Sequence, residues 1–263
     1  DFDLAETFNC GQCFRWNPVG NDEFVGVAFD SVVNILKKKN KIVLTGNSIA
    51  KNFDTVWQNY FDLATDYGKV KAELSGLDAT LSLACKYAPG IRILRQDPWE
   101  ALCSFIISQN NNIPRIKGII ERLCRCFGRE VAPGFFSFPK NTTLAELDKD
   151  DLSPIKCGFR DAYIIDAAQK VASGEIDFTK IATMPIDSAR KELMKIKGVG
   201  PKVTECALLY GFHRLEAFPV DVWMHRALFT FFPGKDPTYF GRYAGIAQQY
   251  IFHYSRMNPG LVK

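Results

Sequence analysis

Lys202 and Asp221, 19 positions apart (221 − 202 = 19), are the residues of this 263-residue chain best suited by type and spacing to covalent chemistry. Lys202 follows a short glycine turn in the segment "KIKGVGPKVTEC", Lys195–Cys206, and falls in the first turn of the helix that begins there. The positive end of the helix dipole disfavours an ammonium at that place and favours the neutral amine that a nucleophile requires. An ordinary solvated lysine at an ordinary helix start is the competing reading. Asp221 precedes the apolar-periodic run "VWMHRAL", and Pro219 stiffens its approach. Its plain reading is an N-cap carboxylate. Held ionised at a helix N-terminus, the same group stabilises positive charge on a sugar or acts on a proton. The turn itself, Gly198–Val199–Gly200, permits positive φ and keeps side chains out of the way. Its amides then form a nest for an anion, a DNA phosphate being a natural one. A simple connecting turn would read the same way.

The elements that must hold these groups are legible as two kinds. "CFRWNPVG", "EFVGVAFD", "SVVNILKKKN" and "KIVLTGN" are short, aromatic and β-branched, with Asn, Gly and Asp between them. They predict an antiparallel sheet ending near Gly46. From Asp54 apolar residues recur at intervals of three and four, as in "TVWQNYF" and "TLSLACKYA". From Asp97 onward nearly everything reads as helix, punctuated by Pro98, Pro114, Gly158, Gly198, Gly200 and Pro219. The expected fold class is therefore α+β: a small N-terminal antiparallel β-sheet lobe with flanking helices over 1–95, then a mostly helical body over 96–263. The helical hairpin is expected at about 190–210 and a C-terminal helix at about 241–256.

Composition narrows the function classes. A hydrophobic content of 47% suffices for a sizeable core, and a net charge of +4 suits an anionic partner without requiring one. Eight cysteines lie scattered in apolar contexts such as "EALCSFII", which favours reduced thiols over a disulfide framework. "CGQC" and "CRC" lack a second pair at zinc spacing, so no side-chain metal site is expected. No run approaches the ~18 apolar residues of a membrane span, and no secretory signal opens the chain. Asp1 is no natural start, so native residues are expected to precede it. The expected compartment is the cytoplasm, or the nucleus in a eukaryote.

The order helix, "GVGPK", helix, "FPVD" resembles the helix-hairpin-helix DNA glycosylase superfamily, Lys202 matching the lysine of its bifunctional members and Asp221 its shared aspartate. The iron–sulfur branch needs four cysteines near the C-terminus, and none follows Cys206. "NCGQCFRW" (Asn9–Trp16), "CSFIISQNNNIPRIKGIIERLC" (Cys103–Cys124), "CGFRDAYI" (Cys157–Ile164) and "YAGIAQQYIF" (Tyr243–Phe252) further resemble the 8-oxoguanine DNA glycosylases of the human-enzyme type. That resemblance implies a base-flipping enzyme for 8-oxoguanine opposite cytosine, with AP lyase activity, acting on double-stranded DNA as a monomer away from any membrane.

The resemblance also implies roles. Phe252 and Cys206 would stack on the two faces of the flipped base, Gln248 would read its Watson–Crick edge, and the Gly11 carbonyl would accept from the N7–H that guanine lacks. Each of these has an ordinary alternative as core, surface or strand residue. Asn110 would fill the gap, Arg115 and Arg160 would contact the orphaned cytosine, and Phe159, where the family often has tyrosine, would wedge beside it; the ordinary alternatives are a helix-breaking loop for "NNN" and a solvated charge for Arg160. The family's histidine two residues after the aspartate, a phosphate contact, is replaced by Trp223, so a phosphate contact there is left open, with indole donation or plain packing as the readings. No organic cofactor is implied; a monovalent cation on the hairpin backbone carbonyls is. An alkylpurine glycosylase would lack Lys202. A non-catalytic DNA-binding module would need neither Asp221 nor the pocket residues. A helical scaffold with a coincidental glycine turn would show no salt-dependent DNA affinity.

Overall fold

The computed structural model describes residues 1–39, 41–47 and 49–262. Four short segments form an antiparallel meander in the order β1 (Trp16–Gly20), β2 (Glu23–Ala28), β3 (Ser31–Lys38) and β4 (Lys41–Thr45). Side-chain alternation decides what turns inward: on β3, Val33 and Ile35 are fully buried while their neighbours are only partly covered. Trp16 pairs with Gly26 across β1 and β2. A Cβ on Gly26 would lie 2.6 Å from the indole, so glycine lets the ring lie across the neighbouring strand. Trp16 stacks on Phe8 at 4.5 Å and donates to the Tyr60 hydroxyl at 2.8 Å. With Leu4, Phe24, Trp57 and Phe61 these rings make a small core under the sheet. Each such ring removes roughly 150–250 Å² from water, about 4–6 kcal/mol of transfer free energy.

A second, larger core belongs to the helices. Its axis is the helix Pro98–Ser108, buried on nearly every side, as expected of a helix that is apolar all round. Asp97 caps it by accepting from Glu100 N–H at 2.9 Å. The next helix, Ile113–Phe127, buries one stripe: Ile116, Ile119, Ile120, Leu123 and Cys124. Tyr67–Leu77 and Ala79–Tyr87 fall within the expected N-terminal lobe by sequence, but their buried residues pack into this larger core.

Two local expectations need correction. "TVWQNYF" does not form a regular α-helix: Phe53–Trp57 is a π-helical turn followed by the single turn Gln58–Tyr60. The helical run after Asp97 is interrupted by a hairpin, Glu130–Ala132 with Phe135–Phe136. Its cause is local: Pro133 and Gly134, the latter at φ +77°, make a turn that no helix accommodates. Among the described residues, no helix is long and apolar enough to cross a membrane.

Candidate active site

The hairpin consists of helix Ile186–Leu193, a turn, and helix Pro201–Tyr210. Gly198 sits at φ +74°, and a Cβ there would lie 2.3 Å from the Tyr163 ring, so both conformation and contact demand glycine. Val199 N–H closes the turn onto Ile196 O at 3.1 Å. The N–H groups of Gly198 and Gly200 make no hydrogen bond among the described residues, which leaves them available to an anion. Beside the turn, Lys170 Nζ donates to Lys195 O at 2.6 Å, so one positive charge already neighbours the backbone expected to take a cation.

Pro201 starts the second helix and puts Lys202 in its first turn. Lys202 Nζ donates to Ser108 Oγ at 3.2 Å and lies 5.0 Å from the Phe105 ring centroid. Both partners come from the buried axial helix, so the amine is held against a rigid, largely apolar wall. Glu205 on the same helix takes Arg190 Nε at 2.5 Å and Phe218 N–H at 2.7 Å. That carboxylate ties the hairpin to the extended segment leading into Asp221. Asp221 caps the helix Val222–Phe231: its Oδ1 accepts from Met224 N–H at 2.7 Å. Its Oδ2 has no protein donor among the described residues.

Two cavities meet at this pair. The narrower one is lined by Gly11, Lys202, Cys206, Asp221, Gln248 and Phe252, with Phe105 and Tyr210. The open one, about 1070 Å³, is lined by the turn at Gly200, the Gln109–Asn111 loop and again Lys202 and Asp221. Burial pushes the Cys206 thiol up to about 11, with Lys202 pulling the other way, so this wall is an uncharged thiol at neutral pH. Gln248 is buried at 4% exposure, yet its Oε1 has no hydrogen-bond partner among the described residues. A buried amide oxygen left unpaired at a pocket costs stability and invites a donor from a bound molecule. Gly11 sits at φ +89°, and a Cβ there would be 3.5 Å from Phe252 Cε1.

The loop after the axial helix divides its three asparagines among three tasks. Asn111 Nδ2 donates back to Ile107 O at 3.1 Å. Asn112 caps the next helix, accepting from Arg115 N–H at 3.0 Å. Asn110 occupies the left-handed region at φ +46°, exposed, with its side chain unbonded among the described residues. Arg115 is exposed one turn further on. Arg160 differs from the solvent-facing arginine its sequence suggests. It is 2% exposed and donates to Cys157 O at 2.9 Å, to Asn110 O at 3.1 Å and, through both Nε and Nη2, to Gln109 O. Those four bonds leave one guanidinium N–H free. Phe159 is 53% exposed, with Arg160 4.4 Å over its ring. Trp223 turns its indole N–H to Ser255 Oγ at 2.9 Å.

The sequence motifs therefore converge: Lys202, Asp221, Cys206, Gln248, Phe252 and Gly11 line one pocket. Phe105, Ser108 and Tyr210 were not singled out. Tyr210 continues the stripe of Lys202 and Cys206 at intervals of four, a signal that was available.

Residues 1–102 match the model of the 8-oxoguanine DNA glycosylase N-terminal domain, and residues 103–239 match the HhH-GPD superfamily of base excision DNA repair proteins. The Clostridium acetobutylicum 8-oxoguanine glycosylase/lyase, solved with double-stranded DNA containing cytosine opposite 8-oxoguanine, is 36% identical with a TM-score of 0.90, covering 98% of this chain and 93% of that one. The chain belongs to the 8-oxoguanine DNA glycosylase family. Within the family it is also similar to MBOgg1, solved with a low affinity DNA ligand, at 42% identity and a TM-score of 0.92 over 98% of this chain and 93% of that one. A Methanothermobacter thermautotrophicus protein named "Probable N-glycosylase/DNA lyase" is 28% identical, covering 97% of this chain and 94% of that relative. The match to family members spans both the sheet lobe and the helical body, so the pocket between them is covered by the likeness as a whole.

Proposed function

We propose that this protein excises 8-oxoguanine paired with cytosine from duplex DNA and then cuts the strand by β-elimination. The observation that carries the reading is the position of Lys202 and Asp221 on the shared edge of the two cavities. A nucleotide flipped from a duplex lying in the open cleft brings its C1′ to that edge as its base enters the pocket. The Gln248 carbonyl, unpaired among the described residues, accepts from the base's N1–H and N2–H₂ edge. Cys206 and Phe252 cover the two faces, and the Gly11 carbonyl accepts the N7–H. Guanine would place a bare N7 acceptor against that carbonyl and lose the contact.

Lys202 Nζ, as the neutral amine, attacks C1′, and the N-glycosidic electron pair leaves with the base, which takes up a proton. Asp221 Oδ2 faces the positive charge that develops on the sugar. Ring opening gives an imine between Lys202 and C1′. The imine acidifies the C2′ protons; loss of one expels the 3′ phosphate, and water later releases the lysine. Asn110 fills the vacated stack. Arg115 reads the cytosine, with Arg160 holding the loop and offering its remaining N–H. Gly198 and Gly200 take a phosphate of the lesion strand. One chain supplies every one of these residues, which supports action as a monomer, and the steps use no cofactor.

Borohydride trapping tests the reading on a duplex carrying one 8-oxoguanine opposite cytosine. The wild-type protein is expected to yield a covalent adduct and cut strand. Lys202→Gln is expected to bind the duplex without either. An adduct of undiminished yield in that variant would remove Lys202 from the chemistry.

A further inference from the structure

The carbonyl of Gly11 belongs to the middle of three consecutive peptide planes, and the two outer ones are pinned by glutamine side chains, one buried and one partly buried. The Cys10 carbonyl, in the plane before, accepts from Gln249 Nε2 at 3.0 Å. The Gln12 carbonyl, in the plane after, accepts from Gln96 Nε2 at 2.7 Å. The Gln12 side chain is locked as well, donating to Arg92 O at 2.8 Å and accepting from Leu94 N–H at 2.8 Å. Gly11 O itself accepts no hydrogen bond among the described residues. With its neighbours fixed and its own partner missing, the Gly11–Gln12 plane is oriented but unsatisfied.

Both pins refer back to one residue of the hairpin. Tyr210 donates its hydroxyl to Gln249 Oε1 at 2.7 Å, which fixes the amide so that its nitrogen faces Cys10. The Tyr210 carbonyl accepts from Gln96 N–H at 3.0 Å. Its ring stacks on Phe105 at 5.2 Å, so it has little freedom. Gln249 is wholly buried with both polar ends satisfied, a costly arrangement where an apolar side chain would pack as well.

We propose that Gln249, set by Tyr210, is a positioning residue that aims the Gly11 carbonyl and so determines discrimination between damaged and normal guanine. This rests on the reading of Gly11 as the N7–H acceptor. It makes the lesion-reading carbonyl and the Lys202 amine answer to the same helix, Pro201–Tyr210. Release of the Cys10–Gly11 plane would let the adjoining Gly11–Gln12 plane rotate and swing the carbonyl away from N7 while leaving the amine in place.

The test compares Gln249→Glu with the parent protein at pH 8, where the new carboxylate sets an acceptor against the Cys10 carbonyl. Three duplexes are used: one with 8-oxoguanine, one with an analogue that keeps the C8 oxygen but lacks the N7 proton, and one with an abasic site. Binding of the first two is measured in the Lys202→Gln background, and abasic cleavage with Lys202 intact. Gln249→Glu is expected to weaken binding of 8-oxoguanine about tenfold, to the analogue's level, with analogue binding and abasic cleavage unchanged. Tyr210→Phe, which removes only a hydroxyl, is expected to narrow the same ratio by about threefold. Equal losses on all three duplexes, or an unchanged ratio in both variants, would reduce Gln249 to a core contact. If the parent protein itself binds the two bases alike, the fault lies instead with the reading of Gly11, and the proposal falls with it.

Discussion

Trp223 is hydrogen-bonded to Ser255, indole Nε1 to hydroxyl Oγ at 2.9 Å, and Ser255 donates in turn to Phe252 O at 3.1 Å. The helix capped by Asp221 is thereby latched to the helix that carries Gln248 and Phe252. Where the family resemblance implies a histidine directed at phosphate, this chain directs an indole inward. Trp223→Phe removes the latch while keeping an aromatic ring. It is expected to lower kcat/KM for 8-oxoguanine roughly three- to tenfold, the value of one net hydrogen bond, with a smaller loss on an abasic duplex. Ser255→Ala should do the same, and the double variant should lose less than the sum. Additive losses would show that the two residues act separately.

Asp221 has one oxygen in the cap and one without a protein donor among the described residues. Asn caps helices about as well as Asp, so Asp221→Asn should hold its thermal midpoint, within roughly 0.5 kcal/mol of stability. Base release should slow by about two orders of magnitude, because the carboxylate charge is gone. Single-turnover excision and thermal unfolding, measured together, separate the roles. A fall in stability with rapid excision would leave Asp221 as a cap only.

Arg115 and Arg160 should behave unlike each other. Arg115 is exposed, so Arg115→Ala should weaken the preference for cytosine over adenine at little cost in stability. Arg160→Ala strips partners from the Gln109, Asn110 and Cys157 carbonyls. It should cost about 1–3 kcal/mol in addition to the preference. Excision opposite each base, alongside urea unfolding, checks both. Unaltered stability in Arg160→Ala would contradict the buried geometry.

Alkaline pH should destabilise the fold through its thiols. Burial raises Cys206, Cys85 and Cys157 each to about 11 and Cys10 to about 12, from an ordinary 9.0. Between pH 9 and 11 the unfolded chain loses these protons and the folded one keeps them. The unfolded state then binds fewer protons, so stability falls as pH rises, by up to about 1.4 kcal/mol per pH unit for each such thiol. Buried Tyr60, Tyr67 and Tyr210, raised well above their ordinary 10.0, push the same way. Urea midpoints at pH 8 and 10.5 read this directly; equal midpoints would mean that the thiols are less enclosed than the structure has them.

What could be read from the chain was what is local. The Lys202–Cys206–Tyr210 stripe follows from helical spacing, and the Asp221 cap from a polar residue ahead of an apolar run. The turn at Gly198 and Gly200 announces itself for the same reason. Arg160 was opaque because its partners lie 50 and 51 positions away, and "CGFRDAYI" by itself resembles a solvated helix start. Trp223 was equally opaque, with Ser255 32 positions distant. The Pro133–Gly134 hairpin was local and still missed, because helical periodicity on both sides outweighed a two-residue turn signal.

The close approach of Gly198 to Tyr163 reaches further than the turn. Tyr163 meets Phe159 edge to face at 5.9 Å, so the Gly198 turn and the exposed Phe159 are joined through one ring. If the turn takes one strand and Phe159 its complement, as proposed above, the ring between them would serve as the jaw of a calliper. On the proposed reading, a duplex held at the turn would be presented to Phe159 at a spacing set by that ring, so that its width would be gauged before any base is read.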